Sequence, residues 1–277
     1  MRILAGAVLA VVLAAAGQAA ADPVEDALAA IQRGDFPAAF RLIQPEAASG
    51  NARAQYIMGL FYANGQGVPQ DFAQSLAWER KSANQGFAPA RDQMVNHYLN
   101  GRAEAQDYGP VAKTCQELAA AAQVKGQECL GFMYLRGDGV PPDAAQAVAW
   151  WKKAAEQGSS GAETALGSTY ERGHGVQQNY GQAVYWYGKA AERGDAFGMM
   201  NLGALVMQGR GAVEDQVEGY KWADLAVSRF PAWATRARDM AIANRGMAAG
   251  RLTAQQLAEA QARVSAWRAS HASLPPP

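Results

Sequence analysis

The stretch ALGSTYERGHGVQQNYGQAVYWYGKAAERGD (165–195) decides the fold, because its most distinctive residues recur along the chain every 36 residues. Within it, a Leu-Gly pair is followed by a Tyr, a Gly-His-Gly-Val run, an Asn, a Trp and a Lys-Ala-Ala run. A fixed period of roughly 20–50 residues is typical of proteins built from stacked structural repeats. When the chain is written in rows of 36 residues, equivalent residues align in columns. These columns are Gly59, Gly131, Gly167 and Gly203; Tyr62, Tyr98, Tyr134 and Tyr170; the turns at 65–68, 137–140, 173–176 and 209–212; Asp71, Asp107, Asp143, Asn179 and Asp215; and Trp78, Trp150, Trp186 and Trp222.

Each 36-residue row predicts two helices joined by a glycine-rich turn. In AQYIMGLFYANG (54–65), Ala54 and Met58 share one helical face, and we name this first helix of each row helix A. Gly59 inside helix A predicts close contact with a neighbouring helix. The turn glycines accept positive φ, and the Asp/Asn column provides N-caps for a second helix, helix B. The Trp column shares a face of helix B with an Ala-Ala pair and is predicted to lie in the core.

The fold class predicted from these rows is all-α, an α-solenoid of stacked 36-residue helix-turn-helix repeats, since one hairpin cannot bury its apolar face alone. The second row is degenerate, with Val95 for Gly, AEAQ (103–106) in the turn and Thr114 for Trp. The predicted segments are an N-terminal hairpin at 22–53, repeats at 54–89, 90–125, 126–161, 162–197 and 198–233, capping helices at 234–269 and a disordered tail at 270–277.

The quoted stretch resembles a Sel1-like repeat, which is a relative of the tetratricopeptide repeat. The resemblance rests on all of the columns together and covers residues 54–229. It implies that the chain is an adaptor or regulator, since proteins with such repeats include periplasmic partners of envelope assemblies and of sensor-kinase ectodomains. The N-terminal row resembles a tetratricopeptide-like hairpin.

The resemblance also implies where a partner binds. In tetratricopeptide repeats the inner groove is lined by helix A residues at fixed distances from the Gly column, and in this chain those positions vary in character from row to row. We expect Tyr56, Lys125, Glu128 and Phe132 to be central, with ordinary packing between repeats as the alternative. The predicted groove residues are Tyr56, Leu60, Asp92, Asn96, Lys125, Glu128, Phe132, Thr164, Ser168, Met200 and Met207.

Composition and motifs argue against several classes of function. Lys and Arg together number 25, and so do Asp and Glu. The chain therefore has no net positive charge that would attract nucleic acid. The sequence contains no Ser-x-x-Lys, Gly-x-Ser-x-Gly or Gly-Lys-Ser/Thr motif, and His97, His174 and His271 are scattered. The recurring acidic residues are interpreted as caps rather than paired catalytic carboxylates. We therefore predict no catalytic residue, no metal and no cofactor.

These observations favour a non-enzymatic periplasmic scaffold or regulator in a Gram-negative bacterium, with a protein or peptide partner in the cell envelope. The alternative is an envelope enzyme or peptidoglycan-binding protein, with penicillin-binding or β-lactamase-like activity disfavoured by the missing Ser-x-x-Lys. A purely structural spacer is a third possibility. No integral membrane span is expected once the N-terminal segment is removed.

The two cysteines, Cys115 and Cys129, are predicted to form a disulfide, because an exported protein meets an oxidising compartment. They lie on either side of position 122, where the chain is expected to reverse between two antiparallel helices. In the chain-entropy model, a disulfide that closes a loop of this size stabilises the folded protein by about 3 kcal/mol. The alternative is a pair of buried thiols.

Residues 1–21 are predicted to be a cleavable secretory signal peptide. Arg2 precedes an apolar run from Ile3 to Ala16, which is short for a bilayer crossing, and Ala19 and Ala21 form a signal-peptidase pattern. We therefore expect the mature protein to be periplasmic and to begin at Asp22. N-terminal sequencing of protein from the native host tests this expectation, and a periplasmic fraction whose chains still begin at Met1 would contradict it.

Overall fold

The computed structural model describes residues 22–101, 103, 108–231 and 234–274. The predicted signal peptide at 1–21, most of the degenerate turn at 103–106, Asp107, and the last three residues of the predicted tail lie outside the described residues. The described residues form helices and no strand, so the fold is all-α. The helices are α1 (Pro23–Gln32), α2 (Phe36–Ala48), α3 (Ala52–Asn64), α4 (Phe72–Asn84), α5 (Ala88–Leu99), α6 (Tyr108–Ala120), α7 (Val124–Arg136), α8 (Ala144–Glu156), α9 (Ser160–Arg172), α10 (Tyr180–Glu192), α11 (Ala196–Met207), α12 (Gln216–Arg229), α13 (Thr235–Ala249) and α14 (Ala254–Ser270).

The chain divides into two compact units, and the division falls inside α5, in the degenerate row. Unit 1 extends to Asn96 and contains α1 to α4 with most of α5, while unit 2 begins at His97 and contains the rest. In unit 1, each helix from α1 to α4 contacts the next one in this series, and in unit 2 the same holds from α6 to α13. Each hairpin of these series thereby covers the apolar face of the next. None of the described helices is both long enough and apolar enough to cross a bilayer.

The Asp/Asn column caps helix B wherever the structure describes it. Asp71, Asp143, Asn179 and Asp215 have extended backbones, and their side chains accept hydrogen bonds from amides in the first turn of α4, α8, α10 and α12. Replacing such a cap by Ala typically costs about 0.5–2 kcal/mol. The recurrence of acidic residues in this column therefore follows from helix capping.

The second glycine of each turn does more than adopt a positive φ. Gly139 has a φ of 70°, and a Cβ at this position would lie 2.5 Å from the carbonyl oxygen of Tyr108 in α6. Gly175 has a φ of 75°, and its Cβ would lie 2.7 Å from the backbone of Ala144 in α8. In both cases the turn lies against the first residue of the preceding helix B, so these glycines set the spacing between consecutive repeats.

The glycine column inside helix A receives a large side chain from helix B. The ring of Trp151 packs on Gly131, and a Cβ at Gly167 would lie 2.5 Å from the ring of Tyr187. Trp151 and Tyr187 are each 1% exposed. The close helix contact predicted from the helix A glycines is therefore present in both rows.

The prediction that the Trp column lies in the core is wrong for Trp78 and Trp150, while Trp186 packs against the edge of an apolar core cluster. Trp78, Trp150 and Trp186 are only partly buried, because the residue that faces the helix A glycine is the next one along helix B. Their rings lie at the helix edge under lysine ammonium groups, with Lys153 Nζ 4.1 Å from the Trp150 centroid and Lys189 Nζ 5.0 Å from the Trp186 centroid. Trp222 is 4% exposed and does belong to the core.

The degenerate row is joined to the next by a disulfide between Cys115 in α6 and Cys129 in α7. Their Cα atoms are 6.0 Å apart, and both side chains are fully buried. Gly126 lets the two helices approach, since a Cβ there would lie 2.5 Å from the Ala119 amide nitrogen. Val95 and Thr114, which replace the Gly and Trp of other rows, are also buried.

The prediction of a disordered tail at 270–277 is wrong for residues 270–274, which the structure describes. Ser270 is the last residue of α14, and the His271 ring stacks on Trp267 with centroids 4.1 Å apart. Leu274 then packs against the apolar cluster between α10 and α14. These contacts order the chain through residue 274.

The contacts of the helix A glycines predict that two glycines of the same repeat differ in how substitution by Ala changes the stability of the protein. We expect Gly167→Ala to lower the free energy of unfolding by about 1–3 kcal/mol, because the new methyl group overlaps the Tyr187 ring. The matched control is Gly188→Ala in α10, where a Cβ meets nothing within 4 Å and helix propensity favours Ala by up to about 1 kcal/mol. Urea unfolding followed by circular dichroism measures both, and equal midpoints for the two variants would contradict the packing described here.

Candidate functional site

The predicted groove positions of unit 1 are largely covered. Tyr56 is 2% exposed, and its ring packs on Phe87 with centroids 5.5 Å apart. Burial, with the nearby Glu79 and Asp92 carboxylates, raises the pKa of Tyr56 to about 12. Leu60, Asp92 and Asn96 are partly buried. Tyr56 was expected to be a central contact residue, and this expectation needs correction because its ring packs on Phe87, just before α5, and is covered there.

Two predicted groove residues of unit 2 are also buried. Met200 is 7% exposed and Met207 is 6% exposed. Met207 is covered because the C-terminal helices close over the end of α11, where it clusters with Tyr220 and Ala248. These two methionines therefore contribute to the core rather than to an accessible surface.

The remaining predicted positions of unit 2 lie at or near the surface. Lys125 is exposed, while Glu128, Phe132, Thr164 and Ser168 are partly buried. They belong to α7 and α9, which are the A helices of consecutive rows. Phe132 packs edge-on against Trp151, with ring centroids 5.1 Å apart.

An open depression of about 470 Å³ lies at the N-terminal ends of the A helices. Its polar groups come from the N-terminal ends of three successive A helices, with Glu128 from α7, Ser159 at the cap of α9 and Asp195 at the cap of α11. Its lining residues are Val124, Glu128, Gln157, Gly158, Ser159, Ser160, Gly161 and Asp195. We call this depression the cap groove. Of the predicted groove residues, it contains Glu128, and Thr164 adjoins it through Asp195.

Hydrogen bonds between caps and helices fix the shape of the cap groove. The Ser159 hydroxyl donates to Glu128 Oε2 at 2.8 Å and accepts the Ala162 amide at 3.1 Å. The Thr164 hydroxyl donates to Asp195 Oδ1 at 2.9 Å, which also accepts the Gly198 amide at 2.7 Å. Each carboxylate therefore links one A helix to the cap of the next, with Glu128 linking α7 to the cap of α9 and Asp195 linking α9 to the cap of α11.

Gly161 explains why the Glu128 carboxylate can lie at the floor of the cap groove. A Cβ at Gly161 would overlap Glu128 Oε1, so a larger residue at this position would push the carboxylate away. The site thus depends on a glycine that lies outside the fixed Gly column of the repeat.

Both carboxylates of the cap groove hold their protons more tightly than ordinary acidic side chains. Burial is the largest cause that raises the pKa of Glu128, with a further increase from Asp195, against the opposing effects of Ser159 and Lys125. Burial also raises the pKa of Asp195, although amide and hydroxyl hydrogen bonds and the Arg229 charge oppose it. When ionised, two desolvated carboxylates favour a cationic group in the depression.

The sequence analysis missed Ser159 and Asp195. Both precede helix A, and they belong to a column of the 36-residue rows that contains Asn51, Phe87, Gln123, Ser159 and Asp195. Three of these five residues are N-cap types that cap α3, α9 and α11. The cap column was therefore visible in the sequence, whereas its place beside Glu128 was not.

The raised pKa of Glu128 predicts that neutralising it stabilises the fold. Between the unfolded and folded pKa values, the folded state binds more protons, so stability falls as the pH rises through this window. We expect Glu128→Gln to keep the Ser159 hydrogen bond and to have a higher Tm than the parent protein at pH 7. The difference should shrink as the pH falls below the ordinary glutamate range.

Thermal unfolding at pH 7 and at pH 4 measures this effect. The control is Glu214→Gln, because Glu214 is an exposed carboxylate of unit 2 that already accepts a hydrogen bond from Gln216. A Tm for Glu128→Gln that lies below the parent value at pH 7, with Glu214→Gln unchanged, would show that the ionised carboxylate stabilises the protein.

Comparison with known proteins assigns the repeats to a family. The Sel1 repeat family model matches residues 52–87, 126–159, 160–195 and 196–229. It does not match the degenerate row, which is the row that contains Cys115. No curated protein is detectably similar to the chain.

Three solved structures are similar to the chain, and the first of them shares its fold. A Sel1 repeat protein from Oxalobacter formigenes is 25% identical, covers 90% of this chain and 100% of its own, and superimposes with a TM-score of 0.61. A putative Sel1 repeat protein from Klebsiella pneumoniae is 17% identical over 75% of this chain and 97% of its own, with a TM-score of 0.44. A protective antigen with an SLR fold from uropathogenic Escherichia coli, c5321, is 19% identical over 91% of this chain and 76% of its own, with a TM-score of 0.37.

The glycine contacts, the caps, the matched rows and the shared fold lead to one conclusion: the chain belongs to the Sel1 repeat family.

Proposed function

We propose that this protein is a non-enzymatic scaffold or regulator of the bacterial periplasm that binds a protein or peptide partner at the cap groove. Sel1 repeat proteins generally serve as scaffolds for protein–protein interaction. The location is proposed from the apolar N-terminal segment and from the Cys115–Cys129 disulfide, because disulfides persist in oxidising compartments.

The observation that carries the proposal is the pair of carboxylates in an open depression. Glu128 and Asp195 come from different rows, and burial raises the pKa of both. A partner that places a lysine, an arginine or a free N-terminus between them would restore favourable charge interactions to both groups. The cap groove is therefore proposed to select a cationic group.

An apolar contact lies beside this polar floor. Phe197 follows Asp195 by two residues, is 43% exposed and packs edge-on against Phe230 with ring centroids 4.9 Å apart. A large aromatic side chain that is held in place and still exposed is the kind of residue that anchors interfaces. The proposed partner segment thus combines a basic residue with an apolar neighbour.

Nothing in the cap groove favours the alternative of an envelope enzyme. The Ser159 hydroxyl lies beside a carboxylate, but it is held as a helix cap between Glu128 and the Ala162 amide. Within the described residues, no group of three or more His, Cys, Asp or Glu side chains could hold a metal ion.

Site-specific photo-crosslinking in the native host tests the proposal. With a photoreactive phenylalanine analogue at position 197, we expect a specific crosslinked protein that is recovered from the periplasmic fraction. Glu128→Gln in the same chain should reduce its yield, because it removes one of the two charges that hold the cation. Mass spectrometry of the adduct identifies the partner and the contacted segment.

The control places the same analogue at Val213, which is 89% exposed in a turn of unit 2. Equal adducts from positions 197 and 213, or a yield at 197 that Glu128→Gln leaves unchanged, would reject the cap groove as the binding site. A cytoplasmic adduct would reject the proposed location.

A further inference from the structure

The cap groove lacks the apolar wall that a long basic side chain needs. Of the eight residues that line the depression, Val124 alone has an apolar side chain, and Gly158 and Gly161 have none. Lysine and arginine have long hydrocarbon stems, which pack along apolar surface when the charged end is bound. The lining therefore favours a cation whose neighbouring atoms are polar.

The Glu128 carboxylate offers one open oxygen rather than two. Its Oε2 atom accepts the Ser159 hydroxyl at 2.8 Å. Its Oε1 atom lies against Gly161 and accepts no hydrogen bond from any residue that the structure describes. A guanidinium group binds a carboxylate best through two parallel hydrogen bonds to both oxygens. An ammonium group has three donors around a compact charge and needs only one oxygen from each partner, so this site fits an ammonium group better.

Asp195 supplies a second negative charge that is fixed in place. Its Oδ1 atom is occupied by the Thr164 hydroxyl and the Gly198 amide. The Asp195 charge raises the pKa of Glu128, so the two carboxylates interact across the depression. Arg229 offsets part of the Asp195 charge. The charge of Glu128, by contrast, is offset by no ion pair within the described part of the chain.

The first turn of α7 provides hydrogen-bond donors beside these carboxylates. Ser159 and Asp195 cap α9 and α11 with their side chains, but Gln123, the N-cap of α7, makes no side-chain cap hydrogen bond. The first amides of a helix have no partner inside the helix. Val124, the first residue of α7, lines the depression. The cap groove thus combines open amide donors with an open carboxylate oxygen.

An ammonium group next to a carbonyl oxygen is the chemistry of a peptide N-terminus. The α-amino group is largely protonated at neutral pH, and the carbonyl oxygen of the same residue lies on the adjacent backbone carbon. A lysine ammonium group has only methylene groups beside it. Capture of a terminal amine by backbone and side-chain groups is a recurring mode of peptide recognition. Of the cationic groups named above, a free N-terminus therefore matches both halves of the site.

We propose that the cap groove binds the free N-terminus of a partner chain, with the ammonium group on Glu128 Oε1 beside Asp195 and the first carbonyl oxygen on the open amides of α7. This inference rests on the proposed function and narrows it, because an internal lysine or arginine is no longer an equivalent ligand. Removal of a signal peptide leaves a free N-terminus on an exported protein, so the proposed compartment supplies such ligands.

The test titrates the full chain with short peptides of the sequence Ala-Leu-Ser-Gly-Gly, which have an amidated C-terminal end with a fluorescein label. We expect the peptide with a free N-terminus to bind. The N-acetylated peptide should bind at least about tenfold more weakly, because acetylation removes the charge and the donors that face Glu128. N-acetylated peptides with Lys or Arg in place of Ser should be as weak as the acetylated peptide. Fluorescence anisotropy measures each affinity.

Two substitutions at the floor of the cap groove should each weaken binding of the free peptide by about tenfold. Glu128→Gln removes the charge but keeps the size of the side chain. Gly161→Ala displaces the carboxylate, because its Cβ overlaps Oε1. The matched control is Glu214→Gln, which removes an exposed carboxylate of unit 2 outside the depression and should bind like the parent protein. Circular dichroism checks that each variant is folded.

Three results would overturn the inference. They are equal binding of the free and N-acetylated peptides, binding of the free peptide that Glu128→Gln leaves unchanged, and no binding by any of the peptides. If the acetylated Lys or Arg peptide binds as well as the free peptide and Glu128→Gln weakens it, the inference fails while the proposed cationic site stands. Crosslinking from position 197 tests the proposed function separately, because it does not depend on which part of the partner carries the cation.

Discussion

The contact between a helix A glycine and a helix B ring is the constraint on which the rest of this structure depends. Gly131 receives Trp151, and Gly167 receives Tyr187. Since these rings are almost fully buried against the helix backbone, the two helices of a repeat are held at one distance and in one register. Helix packing of this kind tolerates little change in volume, because protein interiors are close-packed. The cost in helix propensity, about 1 kcal/mol for each glycine, is offset by the packing it permits.

A second glycine contact propagates this arrangement from repeat to repeat. Gly139 and Gly175 place each turn against the backbone at the start of the preceding helix B. The Asp/Asn caps end the same turns with hydrogen bonds to the next helix. Spacing within a repeat and spacing between repeats are thus both set by backbone contacts at glycine.

The cap groove illustrates how a repeat protein brings residues that are far apart in sequence into one depression. In the cap groove, Glu128 and Asp195 meet because successive A helices begin side by side, so residues far apart in sequence share one desolvated depression. The last row differs from the others, because α14 packs on α12 and α10 instead of completing a hairpin with α13. The cap groove is therefore a product of the regularity of the repeat, and the C-terminal end shows where that regularity stops.

The sequence by itself determined the all-α class, the 36-residue period, the caps at Asp71, Asp143, Asn179 and Asp215, and the glycines that permit close approach, because each follows from local backbone chemistry. It also singled out Glu128, since the repeat phase places that residue on helix A. Only the tertiary structure decided which side chains are covered. Tyr56, Met200 and Met207 are buried although their phase predicted a groove, and Trp150 is at an edge although its phase predicted the core. The physical reason is that helical phase gives a direction within one helix, whereas burial depends on which neighbouring helix lies in that direction and how closely it packs.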